Sequence, residues 1–242
     1  MKIGYVGAHP FAEVKSGFTS FYLGIKSVVN NVVMEVKYTN SWFDIDKEKS
    51  TAKALIDKGC VIIGQHADST GAPQACQEAF ENGTVAYSVG YNVSMLDVAP
   101  DAALTSATNV WEAYYEQNIK AVMDGGKPIQ DWAKGFSDGA VAITALGKNV
   151  AAGTQDKVNE TIDGIKNGTV KVFDINKFTV NGQKVTTYTV DLSRIDFSNN
   201  TVIYEGPKKE VIVDGEFKES EFRAAPYFDL IIDGISAPVE NS

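Results

Sequence analysis

The sequence predicts an α/β chain, with an open, doubly wound parallel sheet followed by a β-rich C-terminal region. Three observations predict it. Four short apolar runs alternate with helix-like segments over the first 90 residues. The first reads as a continuous apolar run, as expected of a strand covered on both faces, while the second, "VVMEVKYTN", alternates. From residue 170 the helical periodicity gives way to β-branched runs around an Asn-Gly pair.

Taken in order, "KIGYVGA" (2–8) is a buried parallel strand closed by small residues. A helix near 11–29 carries Val14, Phe18, Phe21, Ile25 and Val28 on one apolar face. "VVMEVKYTN" (32–40) is the second strand. Asp44 or Asp46 caps a helix over 47–58, whose first N–H groups need a carboxylate. Gly59 is the left-handed stop. The acidic stretch Asp44–Glu48 reads as that cap plus a solvated face. "CVIIGQ" is the third strand, Pro73 opens a helix over 73–81, and "TVAYSVG" (84–90) is the fourth strand.

Beyond it, "AALTSATN" (102–109) reads as strand, 110–124 as helix and 154–167 as helix, with "GFSDGAVAITAL" (135–146) between them. In the tail, "KFTVNGQKVTTYTVDL" is a hairpin signature with Asn181-Gly182 in a type I′ turn. "TVIYEG", "KEVIVDGEF" and "YFDLIIDGI" read as further short strands. The expected division is 1–106, 107–169 and a β-rich extension over 170–242.

Composition narrows the function. At 242 residues there is ample core for one large domain or two small ones. A formal net charge of −9 argues against nucleic acid or an anionic membrane as partner. No run of 18 apolar residues spans a bilayer. Cys60 and Cys76 belong to no metal-type cluster; they form either a disulfide or two buried free thiols, the latter expected from their apolar and helical surroundings. No metal or cofactor is implied. Nucleophile elbow, Walker A, GxGxxG and HExxH patterns are all missing, so no catalytic set is visible.

In open parallel sheets ligands bind beyond the carboxyl ends of the strands. Those ends are Gly7-Ala8-His9, Thr39 to Trp42, Gln65 to Asp68, and Gly90-Tyr91-Asn92. Gln65, His66 and Asp68 therefore fall where the fold puts a ligand. His9 reads as a loop residue. Trp42 and Trp111 either pack in the core or offer an aromatic face to a flat ligand. Trp132 lies in a Gly/Pro-flanked connection and is set apart from them. Tyr91-Asn92 serves either a ligand or a turn.

Together, "KIGYVGA", "GFTSFYLGIKSV", "YTNSWFD", "VIIGQHADSTG", "AYSVGYN" and "VAPDAALTSATNVWEAYY" resemble the basic membrane protein family of solute-binding lipoproteins. The resemblance runs over about residues 2–170. It implies a type I periplasmic-binding-protein fold, in which two lobes close on a purine nucleobase or nucleoside and a membrane ABC permease receives it. Carried over, the ligand-binding positions are Ser41, Trp42, Gln65, His66, Asp68, Tyr91 and Asn92, with the region of Asn109 to Trp111. An Asp that nucleoside-binding members carry after the fourth strand is replaced here by Gly90-Tyr91-Asn92. A Lys that members carry just before the helix is absent from "TSATNVW". Both departures point to a nucleobase or another small planar molecule.

The resemblance also implies an extracellular, lipid-anchored protein. This chain starts where a second lobe would start, without leader or anchor cysteine, so a shortened form is expected, with a homodimer covering the exposed apolar face. A cytoplasmic sensor or interaction protein on the same fold is the alternative. An enzyme using His66 with Asp68 ranks last.

Overall fold

The computed structural model describes residues 1–196 and 198–239. Its main sheet is built from β1 (Lys2–Gly7), β2 (Val33–Tyr38), β3 (Ile62–His66), β4 (Tyr87–Tyr91), β5 (Ala103–Asn109) and β6 (Val141–Ile143). The helices are α1 (Ala12–Lys26), α2 (Ile45–Asp57), α3 (Gly71–Glu81), α4 (Trp111–Met123) and α5 (Thr154–Lys166). Tail strands are β7 (Thr189–Asp191), β8 (Arg194–Asp196), β9 (Thr201–Tyr204), β10 (Lys208–Glu210), β11 (Ile212–Val213), β12 (Glu216–Phe217) and β13 (Ile235–Ser236). The sheet runs β13-β2-β1-β3-β4-β5-β6. Its pairs are parallel except β5 with β6. The chain order reverses between β1 and β3, which opens a crevice at their carboxyl ends.

Side-chain alternation divides the core into two faces. Ile3 and Tyr5 of β1 pack with Val14, Phe18 and Tyr22 of α1. Val6, by contrast, packs with Leu55, Ile63 and Cys76 on the α2–α3 face. The tail joins the first core: Phe173, Phe178, Phe217, Phe228 and Ile232 are buried in it. The β-rich region thus closes over α1 and extends the sheet through β13 beside β2.

Several expectations shift. The first helix ends at Lys26, so Val28 falls outside it and is exposed, and Tyr22 and Leu23 take up the buried face. Gly59 has φ +87°, the left-handed stop expected. α3 begins two residues before Pro73. Gly71 permits this, because a Cβ there would lie 2.3 Å from the Ile45 carbonyl oxygen. Asn181 and Gly182 take the two positive φ angles of a type I′ turn, yet only the Val180–Gln183 bridge forms around them. The Gly182 N–H and the Thr179 hydroxyl donate to Asp233 instead, which ties the turn to the segment before β13. "YFDLIIDGI" forms no strand before Ile235; Tyr227, Phe228 and Ile232 are buried as irregular chain. Cys60 and Cys76 are buried and free.

Glu48 departs most from its expected role. Asp44 caps α2 by accepting from the Lys47 N–H at 3.0 Å. Glu48, read as part of a solvated face, is 0% exposed. Its carboxylate accepts the Ser69 N–H at 3.2 Å and the Asp44 N–H at 3.2 Å. Burial pushes this carboxyl up, against those hydrogen bonds. It ties α2 to the turn that carries Asp68.

Candidate functional site

A cavity of about 620 Å³ opens at the carboxyl ends of β3 and β4. Glu13, Ser16 and Gly17 of α1 form one wall, and His66 and Tyr91 form its floor. Asn109, Trp111 and Tyr114 form the opposite wall, and the tail closes a side with Glu219, Ala224 and Pro226. The Ser16 hydroxyl donates to Glu219 at 2.8 Å, and the Ala224 N–H donates to Asp131 at 2.7 Å, fixing that side.

The strand pleat sends successive side chains of β3 to opposite faces. Gly64 and His66 face α1, while Ile63 and Gln65 face α2 and α3. The Gln65 amide nitrogen donates to the carbonyls of Ala67 at 2.7 Å and Ser69 at 2.9 Å. Gln65 therefore braces the turn from below instead of lining the cavity.

His66 is 7% exposed, and neither ring nitrogen has a hydrogen-bond partner among the described residues. Its ring sits 4.4 Å from that of Tyr91, tilted by 45°. Burial pushes the imidazole down to about 4, so it is neutral at physiological pH. A neutral imidazole offers one donor and one acceptor, and both are uncommitted. The Glu13 carboxylate lies 3.9 Å from Nε2, too far for a direct hydrogen bond. Burial and the neighbouring Asp68 charge both raise the Glu13 carboxyl. Tyr91 is pushed up to about 12 by burial, with Glu13 and Asp68 adding to it.

At the rim, Asp68, Asn92 and Asn109 form a chain across three strand ends. Asn92 Nδ2 donates to Asp68 Oδ1 at 3.3 Å, and Asn109 Nδ2 to Asn92 Oδ1 at 3.5 Å. Asn92 sits at φ 65°, a conformation Asn tolerates better than most residues. The Asp68 N–H donates to the Trp42 carbonyl at 2.7 Å, joining the β2 and β3 ends.

Trp42 lies with His9 and Phe11, their ring centroids 5.4 Å and 6.3 Å away, rather than against the cavity. His9, read as a loop residue, stacks on Phe11 at 5.0 Å. Ser41 is held in a local turn, its hydroxyl donating to the Phe43 carbonyl at 3.1 Å. The eight expected site residues thus divide. His66, Tyr91 and Trp111 line the cavity, Asp68 and Asn92 form its rim, and Ser41, Trp42 and Gln65 support the turns around it.

Glu13 and Gly17 were not legible as site residues, and Trp132 ranks below Trp42 and Trp111. Glu13 looks like one more charge on an amphipathic helix. Gly17 looks like a weak helix position. Trp132 lines the cavity against Tyr114, with ring centroids 5.4 Å apart, and its Nε1 donates to Gln117 at 3.0 Å.

A crevice beyond the strand ends of a doubly wound sheet, with aromatic walls and uncommitted polar groups, stands where such folds place their ligands. The chain belongs to the Bmp family, whose model, described as ABC transporter substrate-binding protein PnrA-like, matches residues 1–176. It is 39% identical over 170 residues to a purine-binding protein of Brucella abortus, covering 70% of this chain and 47% of that protein. It is 30% identical over 171 residues to a putative ABC transporter glucose-binding protein of Haloferax volcanii, covering 71% and 42%. The chain thus spans less than half the length of either relative. Among solved structures, a solute-binding protein of an ABC transporter system from Aeropyrum pernix superposes with a TM-score of 0.58 at 18% identity, covering 70% of this chain and 56% of that one. A counterpart from Conexibacter woesei gives 0.56 at 19%, with the same coverage. A transcriptional activator of the comK gene from Bacillus halodurans gives 0.57 at 20%, covering 70% and 57%. At these identities the likeness concerns the fold alone.

Proposed function

We propose that this chain binds a small planar ligand of the purine-base type in the cavity over His66 and Tyr91. On this reading it is the ligand-binding lobe of a solute receptor that delivers to an ABC permease on the outer face of a membrane. The observation that carries it is His66: a buried imidazole with two unpartnered nitrogens, set beside an aromatic ring and facing a cavity large enough for a base. An unpaired buried polar group is costly, and a ligand that pairs with it recovers that cost on binding. The relative named as purine-binding supports the ligand class, and the relative named as glucose-binding supplies the comparison. Family membership favours this reading over a cytoplasmic sensor.

A thermal-shift titration with adenine, guanine, adenosine and glucose tests it. A ligand at about a hundred times its Kd adds roughly 2.7 kcal/mol, a rise of several degrees in the midpoint. A shift with a base and none with glucose supports the reading; a shift with glucose alone refutes it.

Self-association belongs to the same proposal. Trp111, Tyr115, Ile119, Val122 and Met123 form an exposed apolar stripe along α4 at helical spacing. A second copy pairing on that stripe would cover it. Light scattering is expected to give a dimer mass that falls to the monomer's when Ile119 and Val122 are both changed to Lys.

A further inference from the structure

We propose that Glu13, whose carboxylate lies 3.9 Å from His66 Nε2, is the specificity-determining residue of this site and demands a ligand edge carrying an N–H beside an unprotonated ring nitrogen. The inference rests on the purine-type reading above and goes further by naming the edge that is read.

Three observations meet at this point. The first is the acceptor surplus. Burial and the Asp68 charge both raise the Glu13 carboxyl, and a second carboxylate, Glu219, lines the same cavity. Lys134, on the far side of the cavity, is paired with Asp138 at 3.3 Å. The second is the vacancy in hydrogen bonding at His66, which is 7% exposed and lines the same cavity. The third is the separation. At 3.9 Å the carboxylate and the imidazole do not satisfy each other, but side by side they can contact one edge of a flat heterocycle that faces them both.

The chemistry follows from the donor inventory. An ionised carboxylate only accepts, so it takes an N–H from the ligand. A neutral imidazole N–H donates, so it takes the lone pair of an adjacent ring nitrogen. Purine bases offer such neighbours, an N–H next to a bare ring nitrogen, on more than one edge. Anionic ligands meet the Glu13 carboxylate in the cavity and Asp68 at its rim, and are disfavoured. Tyr91 and Trp111 contribute flat apolar surface and accept any planar ring, so discrimination falls to Glu13 and His66.

Caffeine separates shape from edge: it keeps the flat purine ring, is uncharged, and has no N–H. The test is calorimetric titration of the whole chain with adenine, guanine and caffeine, repeated on the Glu13→Gln and Glu13→Ala variants. Circular dichroism confirms that each variant is folded. Glu13 is half exposed at the start of α1, so both variants are expected to fold. The expected result is base binding at least tenfold tighter than caffeine. Both variants should lose at least tenfold for the bases and leave caffeine within twofold. Caffeine binding as tightly as adenine, or unchanged base affinity in both variants, overturns the role of Glu13 and leaves the planar-ligand reading standing. Absence of binding by all three compounds overturns both.

Discussion

Gly17 of α1 stands directly over His66: a Cβ at position 17 would lie 2.3 Å from Nδ1 and 2.9 Å from Cε1 of the imidazole. The glycine has no turn to make, since it sits inside a helix where glycine is unfavourable. Its presence is explained by the ring beneath it. Gly17→Ala is expected to cost about 1–3 kcal/mol through overpacking and to displace His66 from the cavity floor. Combining it with His66→Ala should recover part of that loss, a non-additivity that urea denaturation of the two single variants and the double variant measures.

His66 also predicts an acid limb in stability. Its imidazole is neutral in the folded chain down to about pH 4, whereas the unfolded chain protonates near 6.5. Between those values the unfolded state binds more protons, so stability falls as pH drops through that window, by about 3 kcal/mol at the lower end. The raised carboxyls of Glu13 and Glu48 act with the opposite sign. The difference between the native chain and His66→Gln isolates the imidazole, and this difference should flatten above pH 6.5.

Glu48 holds the turn below the site. Replacing it with alanine leaves the Ser69 and Asp44 N–H groups without their acceptor and opens a cavity. The expected loss is about 2–4 kcal/mol, with Glu48→Gln losing less because one acceptor oxygen remains. Chemical denaturation of both variants checks the order.

The tail is expected to be indispensable. Phe217 and Phe228 are packed edge to face at 4.7 Å within the α1-side core. Alanine at either position should cost about 3–5 kcal/mol. A chain ended at residue 176, where the family match stops, would expose Phe18, Tyr22 and Met34. It should bind a hydrophobic dye and lose its cooperative transition.

How much of this was legible depended on range. Runs such as Val61-Ile62-Ile63 and stops such as Gly59 are local signals, and the strands, helices and binding end followed from them. The tail was legible in composition but not in form. "YFDLIIDGI" is apolar because α1 covers it, and burial alone does not distinguish a strand from irregular chain. The two-residue pairing of β13 with β2 joins positions some 200 residues apart, as with Ile235 and Met34, and no local pattern encodes it. Of the residues that line the cavity, His66 and Tyr91 stand out in the sequence as strand-end positions, and Trp111 as the aromatic residue that opens a helix just after a strand. Glu13 and Glu48 do not, because a carboxylate on a helix reads as solvated until its neighbours are known. That the Gln65 amide turns to the Ala67 and Ser69 carbonyls is a matter of which face of β3 it takes, which counting strand-end residues does not reveal.

The central claim is that the ligand sits on His66 and Tyr91 between α1 and α4. The most direct test is a titration of the isotopically labelled chain with adenine, following backbone amide resonances. The account predicts saturable changes concentrated at residues 13–17, 66–68, 91–92 and 109–114. Saturable changes confined to the α2–α3 face or to the tail hairpins, or no change with any purine base, would contradict it.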